Sequence, residues 1–310
     1  MSEITAVQFS GYGPPEVLSA RRIPAPQPGA GEVSIDVHAA SVNPIDWKLR
    51  AGLLKKVFPA SFPVTSGRDG AGVVIAVGAG VDSGLIGRRV CFLSARGVGT
   101  WAERIVLPAA LAVGIPDTLS FIDAAAVPLA GLSAWSALVT AAQIGPGMRV
   151  LIHGAAGGVG TFAVQIARDR GAHVAATCSC GNIDFVCGLG AEEVITYDDE
   201  IAFEDKLSGL DVVLDPIGGE VHRRSYAVLR KGGMLVCLAA APYQDRGAEY
   251  GVTVRLAQVA PDPVVLAALL ALVPRVRPIV DRILPFSDFV AAQRASQQGH
   301  ARGKTVLRIR

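Results

Sequence analysis

The sequence predicts an α/β protein that joins a strand-rich domain to a doubly wound parallel sheet. Two observations support this prediction. Between residues 116 and 261, short apolar strands alternate with helical segments, which is the pattern of a doubly wound sheet. Before residue 116, short strands are separated by Gly/Pro turns, as in a small β-barrel. With 310 residues, the chain is long enough for both domains.

The first domain is predicted to comprise residues 1–115 and to be completed by residues 262–310. Glu32–Ala39 alternates polar and apolar residues, the period of a half-buried strand. Other strands are predicted at Ala6–Phe9, Gly72–Gly78, Arg89–Phe92 and Thr100–Val106. The final segment is expected to return to this domain, because a nucleotide-binding domain is already complete by about residue 260. Its predicted elements are helices at Val264–Val273 and Ser287–Gln298 and strands at Ile279–Ile283 and Thr305–Ile309.

The second domain is predicted to comprise residues 116–261. Ser120 is a candidate N-cap for an alanine-rich helix, and a second helix is predicted near Ser133–Gln143. Strands are predicted at 148–153, 173–177, 194–196, 211–215 and 234–239.

A glycine turn lies at the start of the parallel sheet. The apolar run Arg149–Ile152 precedes His153–Gly160, and a helical apolar pattern follows until Gly171. The spacing Ala155-x-Gly157-x-x-Gly160 is the dinucleotide fingerprint with alanine in place of its first glycine. Such a turn brings backbone N–H groups to a pyrophosphate at the helix N-terminus. The predicted cofactor contacts in the turn are Ala155, Gly157, Gly158, Val159 and Gly160.

Composition excludes several classes of protein. Hydrophobic residues make up 51% of the chain, the net charge is +2, and no Lys/Arg stripe provides a footprint for nucleic acid. The longest apolar stretch is too short to span a membrane, and the N-terminus has no signal-peptide pattern, so a cytoplasmic protein is expected. Five dispersed cysteines fit a reducing compartment rather than a disulfide framework.

The sequence predicts no metal site. Cys178, Cys180 and Cys187 lack a matching second pair, and the five histidines show no pairing at metal spacing. A Gly-x-Ser-x-Gly elbow is also absent, which disfavours a hydrolase.

The loop after strand 173–177 bears on the choice of dinucleotide. NAD-binding folds place an acid there for the ribose 2′-hydroxyl, but no acid follows in this chain until Asp184. A carboxylate at this point would repel a 2′-phosphate, so its absence favours NADPH. Thr177, Ser179 and Asn182 are predicted to donate hydrogen bonds to the cofactor.

Several sequence blocks together resemble the zinc-independent quinone oxidoreductase branch of the medium-chain dehydrogenase/reductase superfamily. The resemblance covers essentially the whole chain and implies a Rossmann domain together with a GroES-like substrate domain. Besides the glycine turn, the matching blocks are Ser41–Lys48, Ser66–Val74, Leu129–Ala134, Gly188–Ala191 and Gly299–Leu307.

The same resemblance bears on zinc and on the reaction. Asn43 stands where zinc-dependent relatives have a cysteine, and Ser66–Asp69 replaces their Gly-His-Glu block. Without zinc, alcohol oxidation is disfavoured, and hydride transfer to an electrophilic quinone or α,β-unsaturated carbonyl is expected.

Further site residues follow from positions that match the family. Asn43 and Lys48 are the predicted catalytic residues, with a turn cap and a solvated helix lysine as the respective alternatives. The Asn43–Lys48 segment contains no tyrosine and is similar to that of enone-reducing relatives. Gly181 departs from the family, which often has a basic residue there. The remaining predicted cofactor contacts are Ser133 (alternatively a helix N-cap), Tyr197 (alternatively packed on the sheet), Ala239, Ala240 and Lys304.

The predicted function is therefore NADPH-dependent reduction of an activated C=C bond or a quinone. Quinone reduction proper and a catalytically idle NADPH-binding protein remain the alternatives. A homodimer is expected through the predicted edge strand Gly251–Val254.

Overall fold

The computed structural model describes residues 2–198, 202–238, 245–299 and 301–310; the predicted contacts Ala239 and Ala240 lie outside these ranges. The strands are β1 (Glu3–Phe9), β2 (Ser19–Pro24), β3 (Glu32–Val42), β4 (Val64–Thr65), β5 (Asp69–Val77), β6 (Arg89–Leu93), β7 (Arg104–Pro108), β8 (Val113–Gly114), β9 (Arg149–Ile152), β10 (His173–Cys178), β11 (Glu193–Thr196), β12 (Leu210–Asp215), β13 (Leu229–Cys237), β14 (Thr253–Leu256), β15 (Val280–Pro285) and β16 (Lys304–Arg308). The α-helices are α1 (Pro44–Arg50), α2 (Phe121–Ala126), α3 (Pro128–Trp135), α4 (Gly158–Asp169), α5 (Ile183–Leu189), α6 (Phe203–Lys206), α7 (Gly219–Ser225), α8 (Gly247–Tyr250), α9 (Pro263–Ala271) and α10 (Phe289–Gln298).

The chain divides into two compact units. Unit 1 comprises Met1–Leu129, Ala260–Ala271 and Pro278–Arg310, and unit 2 comprises Ala130–Val259 and Leu272–Arg277. Most of the C-terminal segment thus returns to the N-terminal unit, where β16 pairs with β3. Unit 1 extends past residue 115 because helix α2 packs on β3 and β5.

Unit 2 contains a six-stranded parallel sheet in the order β11-β10-β9-β12-β13-β14. Counted from its first strand, β9, this is the doubly wound order 3-2-1-4-5-6. Side chains on one face form a buried core; among its members are Leu151, Ala175, Ile195, Val213 and Leu235. The predicted Rossmann fold is confirmed.

Unit 1 contains a seven-stranded sheet with the path β15-β16-β3-β5-β6-β8, in which β7 also pairs with β3, and a three-stranded sheet β2-β1-β4. Backbone hydrogen bonds join β1 to the segment before β7, from Val7 N to Trp101 O (2.8 Å) and from Glu103 N to Thr5 O (2.9 Å). Within the described ranges, no helix is both long and apolar enough to cross a membrane.

Two predicted elements differ from the observed ones. The strand expected at Thr100–Val106 begins only at Arg104, because the side chains of Thr100 and Trp101 turn into the protein and bond to backbone oxygens. The helix expected near Ser133–Gln143 is the end of α3 followed by a π-helical segment, Ser136–Ala141. Ser133 therefore lies inside α3, and its alternative role as a helix N-cap is wrong. Ser120, in contrast, caps α2 as expected, since its hydroxyl accepts from Asp123 N.

The glycine turn connects β9 to α4. Gly154 has a φ of +60°, which favours glycine, and Gly157 is the N-cap residue of α4. A Cβ at Gly160 would lie 2.3 Å from Gly154 O and 2.6 Å from Ala155 Cα, both backbone atoms. The third fingerprint glycine thus allows the helix to pack directly against the turn.

We expect Gly160→Ala to destabilise the protein by about 1–3 kcal/mol, because the added methyl group meets backbone that cannot rotate away. Gly188→Ala is the matched control, since Gly188 lies in α5 with nothing within 4 Å of its would-be Cβ. The control is expected to be neutral or stabilising by up to about 1 kcal/mol. Urea unfolding measures both effects, and equal effects would contradict the prediction.

Candidate active site

His153 ties the glycine turn to neighbouring elements of unit 2. Its Nδ1 lies 3.0 Å from Thr177 Oγ1 and its Nε2 lies 3.0 Å from Ser225 Oγ. Because Ser225 Oγ donates to Val221 O, it accepts from Nε2–H, and Nδ1 then accepts from Thr177. Burial lowers the pKa of His153 to about 4, which agrees with this neutral tautomer.

The hydroxyl of Thr177 is used inside the protein. It donates to His153 and accepts from Gly154 N at 3.3 Å, and Thr177 O accepts from Ala155 N at 2.9 Å. The residue thereby holds β10 and the glycine turn in register. Its predicted contact with a cofactor stays a prediction.

The fingerprint residues divide into two groups. The N–H groups of Ala155 and Gly157 are bonded to Thr177 O and Gly154 O, so they shape the turn. Gly158, Val159 and Gly160 form the first turn of α4, where backbone N–H groups have no acceptor within the helix. These three can present donors to a pyrophosphate.

The loop after β10 is bonded to an acid from another loop, which was not among the predicted site residues. Asp198, which follows β11, accepts a hydrogen bond from Cys180 N through Oδ2 at 2.7 Å. Asn182 Nδ2 donates to Ser179 Oγ at 2.8 Å in the same loop. Tyr197 is 60% exposed, so its ring is not packed on the sheet. Because neighbouring parallel strands end at one edge of a sheet, the end of β11 was the signal that could have located Asp198.

In unit 1, Asn43 lies in a buried polar network with Ser41, Asp69 and Lys304. Asn43 Nδ2 donates to Asp69 Oδ1 (2.8 Å) and to Ser41 Oγ (3.2 Å), and Ser41 Oγ donates to Asp69 Oδ1 (2.6 Å). Lys304 Nζ donates to Asn43 Oδ1 and, at 3.2 Å, to Val42 O. All four polar side chains belong to residues less than 5% exposed.

This arrangement defines what Asn43 can do. Its Nδ2 donates toward both Asp69 Oδ1 and Ser41 Oγ, which are themselves only 2.6 Å apart, so the two acceptors share one side of the amide group. Asn43 is also the N-cap residue of α1, and its backbone N–H donates to Asp46 Oδ2 at 2.7 Å. Lys304 keeps one ammonium hydrogen without a partner among the described residues.

Burial and neighbouring groups shift the pKa of Asp46, some upward and some downward. The pKa of Asp46 is raised to about 7, because burial and the nearby Asp69 raise it by more than the Asn43 N–H, Lys304 and Arg68 lower it. Burial lowers the pKa of Lys304 and that of Arg68, and the two carboxylates oppose this effect. The Oδ1 atom of Asp46 is buried without a hydrogen-bond partner.

Lys48 lies on α1 and is half-buried. Its Nζ lies 5.7 Å from the centroid of the Trp47 ring, and within the described ranges it has no carboxylate partner. No carboxylate among the described residues therefore neutralises the ammonium group. The predicted contact Ser133 is buried in unit 2.

Among the described residues, one set has the spacing of metal ligands: Asp215, His222 and Cys237, all buried in unit 2. Asp215 Oδ1 accepts from the N–H groups of Ile217 and Gly218, while its Oδ2 lies 3.2 Å from His222 Nδ1. Burial raises the pKa of the Cys237 thiol to about 12.

Comparison with known proteins gives the following matches. A family model described as "Zinc-binding dehydrogenase" matches residues 189–307, and one described as "Alcohol dehydrogenase GroES-like domain" matches residues 29–117. The mitochondrial NAD(P)H oxidoreductase RTN4IP1 of Mus musculus is 34% identical, over 90% of this chain and 82% of the relative. The chloroplastic quinone-oxidoreductase homolog of Spinacia oleracea is 41% identical over 62% of this chain, which spans about 60% of that relative's length.

Solved structures agree with these matches. The quinone oxidoreductase from Coxiella burnetii has a TM-score of 0.93 and 33% identity, with 100% of both chains covered. A mycobacterial protein, Rv1454c, solved in complex with NADPH, has a TM-score of 0.87 and 29% identity over 99% of this chain and 100% of that one.

The parallel sheet, the glycine turn and these matches place the chain in an NAD(P)-binding dehydrogenase family with a GroES-like domain. The chain belongs to the quinone oxidoreductase-like branch of the medium-chain dehydrogenase/reductase superfamily.

We expect Asp198→Asn to raise the preference for NADPH over NADH, because it removes a negative charge from the loop where a 2′-phosphate would bind. An exposed charge of this kind is worth roughly a fivefold change in the ratio of the two kcat/KM values. Asp184→Asn, an exposed acid in α5, is the matched control. An equal change in both variants would contradict the assignment of Asp198.

Asp46→Asn should alter the pH dependence of stability. The folded protein holds the Asp46 proton up to about pH 7, whereas an unfolded chain releases it near pH 4. The wild type therefore loses this contribution as the pH rises between those values, and the variant does not. Urea unfolding at pH 5 and pH 8 should show the variant gaining stability relative to wild type at the higher pH. Asp117→Asn is the exposed control, and its free energy of unfolding should differ from that of wild type by the same amount at both pH values. The same result for Asp46→Asn would refute the prediction.

Proposed function

We propose that this protein is an NADPH-dependent reductase that acts without zinc on the activated C=C bond of an α,β-unsaturated carbonyl or on a quinone. The observation that carries the proposal is the hydrogen bond from the Lys304 ammonium to Asn43. A fixed positive charge at the position matching the first zinc ligand of related enzymes repels a divalent cation. The same charge favours negative charge that develops on a bound acceptor.

A reduced nicotinamide dinucleotide, when bound, supplies the hydride for this reaction. Lys48 stabilises the enolate oxygen of the acceptor, because its ammonium group has no carboxylate partner among the described residues. Asn43 positions Lys304, because its Oδ1 accepts a hydrogen bond from the Lys304 ammonium group. The proton that completes the reduction comes from solvent.

The N–H groups of Gly158, Val159 and Gly160 would hold the pyrophosphate, and Ser179, Asn182 and Tyr197 would lie at the adenosine end. The loop segment 179–182 has no acid of its own, which favours NADPH. The NADPH bound to the related Rv1454c supports the same choice. The negative charge of Asp198 disfavours a 2′-phosphate in this loop, so the preference for NADPH over NADH should be limited. Ser133 would lie near the nicotinamide.

Two further predictions belong to this proposal. A homodimer would form through β14, which is the edge strand of the parallel sheet and carries the 48% exposed Leu256. A cytoplasmic location remains the expectation from composition and cysteine usage.

The test is NADPH oxidation with a panel of enones, alkenals and quinones. Turnover of enones and alkenals above quinones supports the leading proposal, whereas the reverse order supports quinone reduction proper. If the protein binds NADPH but turns over no acceptor, the result supports the alternative of a catalytically idle NADPH-binding protein.

Lys48→Ala should lower kcat/KM for an enone by roughly tenfold or more, because one donor to the developing oxyanion is lost. The Kd for NADPH should change far less. Lys48→Arg should retain part of the activity, and Lys55→Ala, an exposed lysine a short way along the chain, is the control. Unchanged turnover in Lys48→Ala would show that Lys48 is a solvated helix lysine with no role in the reaction.

A further inference from the structure

Unit 1 contains a basic segment directly after the predicted catalytic residues. From Trp47 to Arg68 the chain has five basic residues and no acidic one. Two residues of this segment, Phe58 and Arg68, interact with Arg96: the Arg96 guanidinium lies 4.1 Å from the Phe58 ring centroid, and its charge lowers the pKa of Arg68. We call Trp47, Phe58, Arg68 and Arg96 the basic patch.

None of the described residues forms an ion pair with the exposed charge of this patch. The half-buried Arg68 and the buried Lys304 lie near the buried carboxyl groups of Asp46 and Asp69. Arg96 is exposed and forms no ion pair with another described residue. Its charge therefore remains available, and stacking on Phe58 restricts its orientation at little entropic cost.

The patch also contains buried donors without acceptors. Arg68 Nη2 donates to Ser94 O at 3.1 Å, but its Nε is buried and unbonded. Trp47 Nε1 is likewise buried without an acceptor. A buried N–H group without an acceptor is costly, so such groups are typical of places where a ligand or water supplies the acceptor.

The same segment also exposes apolar side chains. Leu53 and Val57, which precede Phe58, are 65% and 68% exposed, so the segment offers hydrophobic surface next to its charges. The basic residues are too few and too widely separated by apolar ones to follow a nucleic-acid backbone. They suit one anionic group on an otherwise apolar molecule.

We propose that the basic patch binds a carboxylate or phosphate carried by the acceptor, so that the preferred acceptor is an anionic, otherwise apolar molecule. Arg68 and Arg96 bind the anion, and Trp47 and Phe58 contact the apolar body. This inference rests on the proposed function, because it places the acceptor beside the segment that carries Lys48.

The test compares 4-phenyl-3-buten-2-one with its para-carboxylate in the NADPH oxidation assay. In Arg96→Ala, KM for the carboxylate should rise about threefold to fivefold more than KM for the neutral enone, as expected for one exposed charge. Arg96→Lys should restore most of the difference. Arg88→Ala, an exposed arginine of unit 1, is the control and should leave both KM values unchanged. A third acceptor, crotonyl-CoA, distinguishes the two anions: a larger shift with it identifies phosphate as the bound group.

A binding measurement separates this inference from the proposed function. The non-reactive 4-phenylbutanoate should quench tryptophan fluorescence in the wild type, and Arg96→Ala should raise its Kd by a similar factor. If the wild type binds 4-phenylbutanoate as expected but turns over none of the acceptors, the proposed reductase function is refuted and the anion site is not. Equal KM shifts for charged and neutral acceptors, or no shift in Kd, would overturn the anion site.

Discussion

The buried carboxylate of Asp69 is the constraint on which the substrate-domain network depends. An unpaired charge in a protein interior costs several kcal/mol, so its oxygens must be bonded. Oδ1 accepts from Ser41 and Asn43, and Oδ2 accepts from Leu129 N at 2.9 Å. The charge of Lys304 lies nearby. One carboxylate therefore fixes segments that lie far apart in the sequence, and the amide of Asn43 takes its orientation from them.

Local patterns in the sequence were sufficient to predict the Rossmann fold of unit 2. A short apolar strand, three closely spaced small residues and a helical period lie within twenty-odd residues, and each has a direct steric or hydrogen-bonding reason. The close approach at Gly160 is one such reason. The helix prediction near Ser133 failed because an alanine-rich stretch has no strong internal boundary. Pro128, at the first position of α3, was the available signal.

Contacts between distant segments could not be predicted in the same way. The bond between Asp198 and Cys180 depends on two strands ending side by side, and the bond between Lys304 and Asn43 joins residues 261 positions apart. Neither contact leaves a periodic trace in the chain. The sequence therefore could not show that Lys304 and Asn43 are hydrogen-bonded to each other.

The pairing of β16 with β3 has a consequence for how the protein is made. Translation proceeds from the N-terminus, so β3, Asn43 and Asp69 leave the ribosome long before Lys304. Throughout that interval the carboxylate lacks its buried cation and the sheet lacks its last inner strand, whereas every strand of the parallel sheet is already available. The unit with the parallel sheet can thus fold during synthesis before β16 completes the unit that contains Asn43 and Asp69.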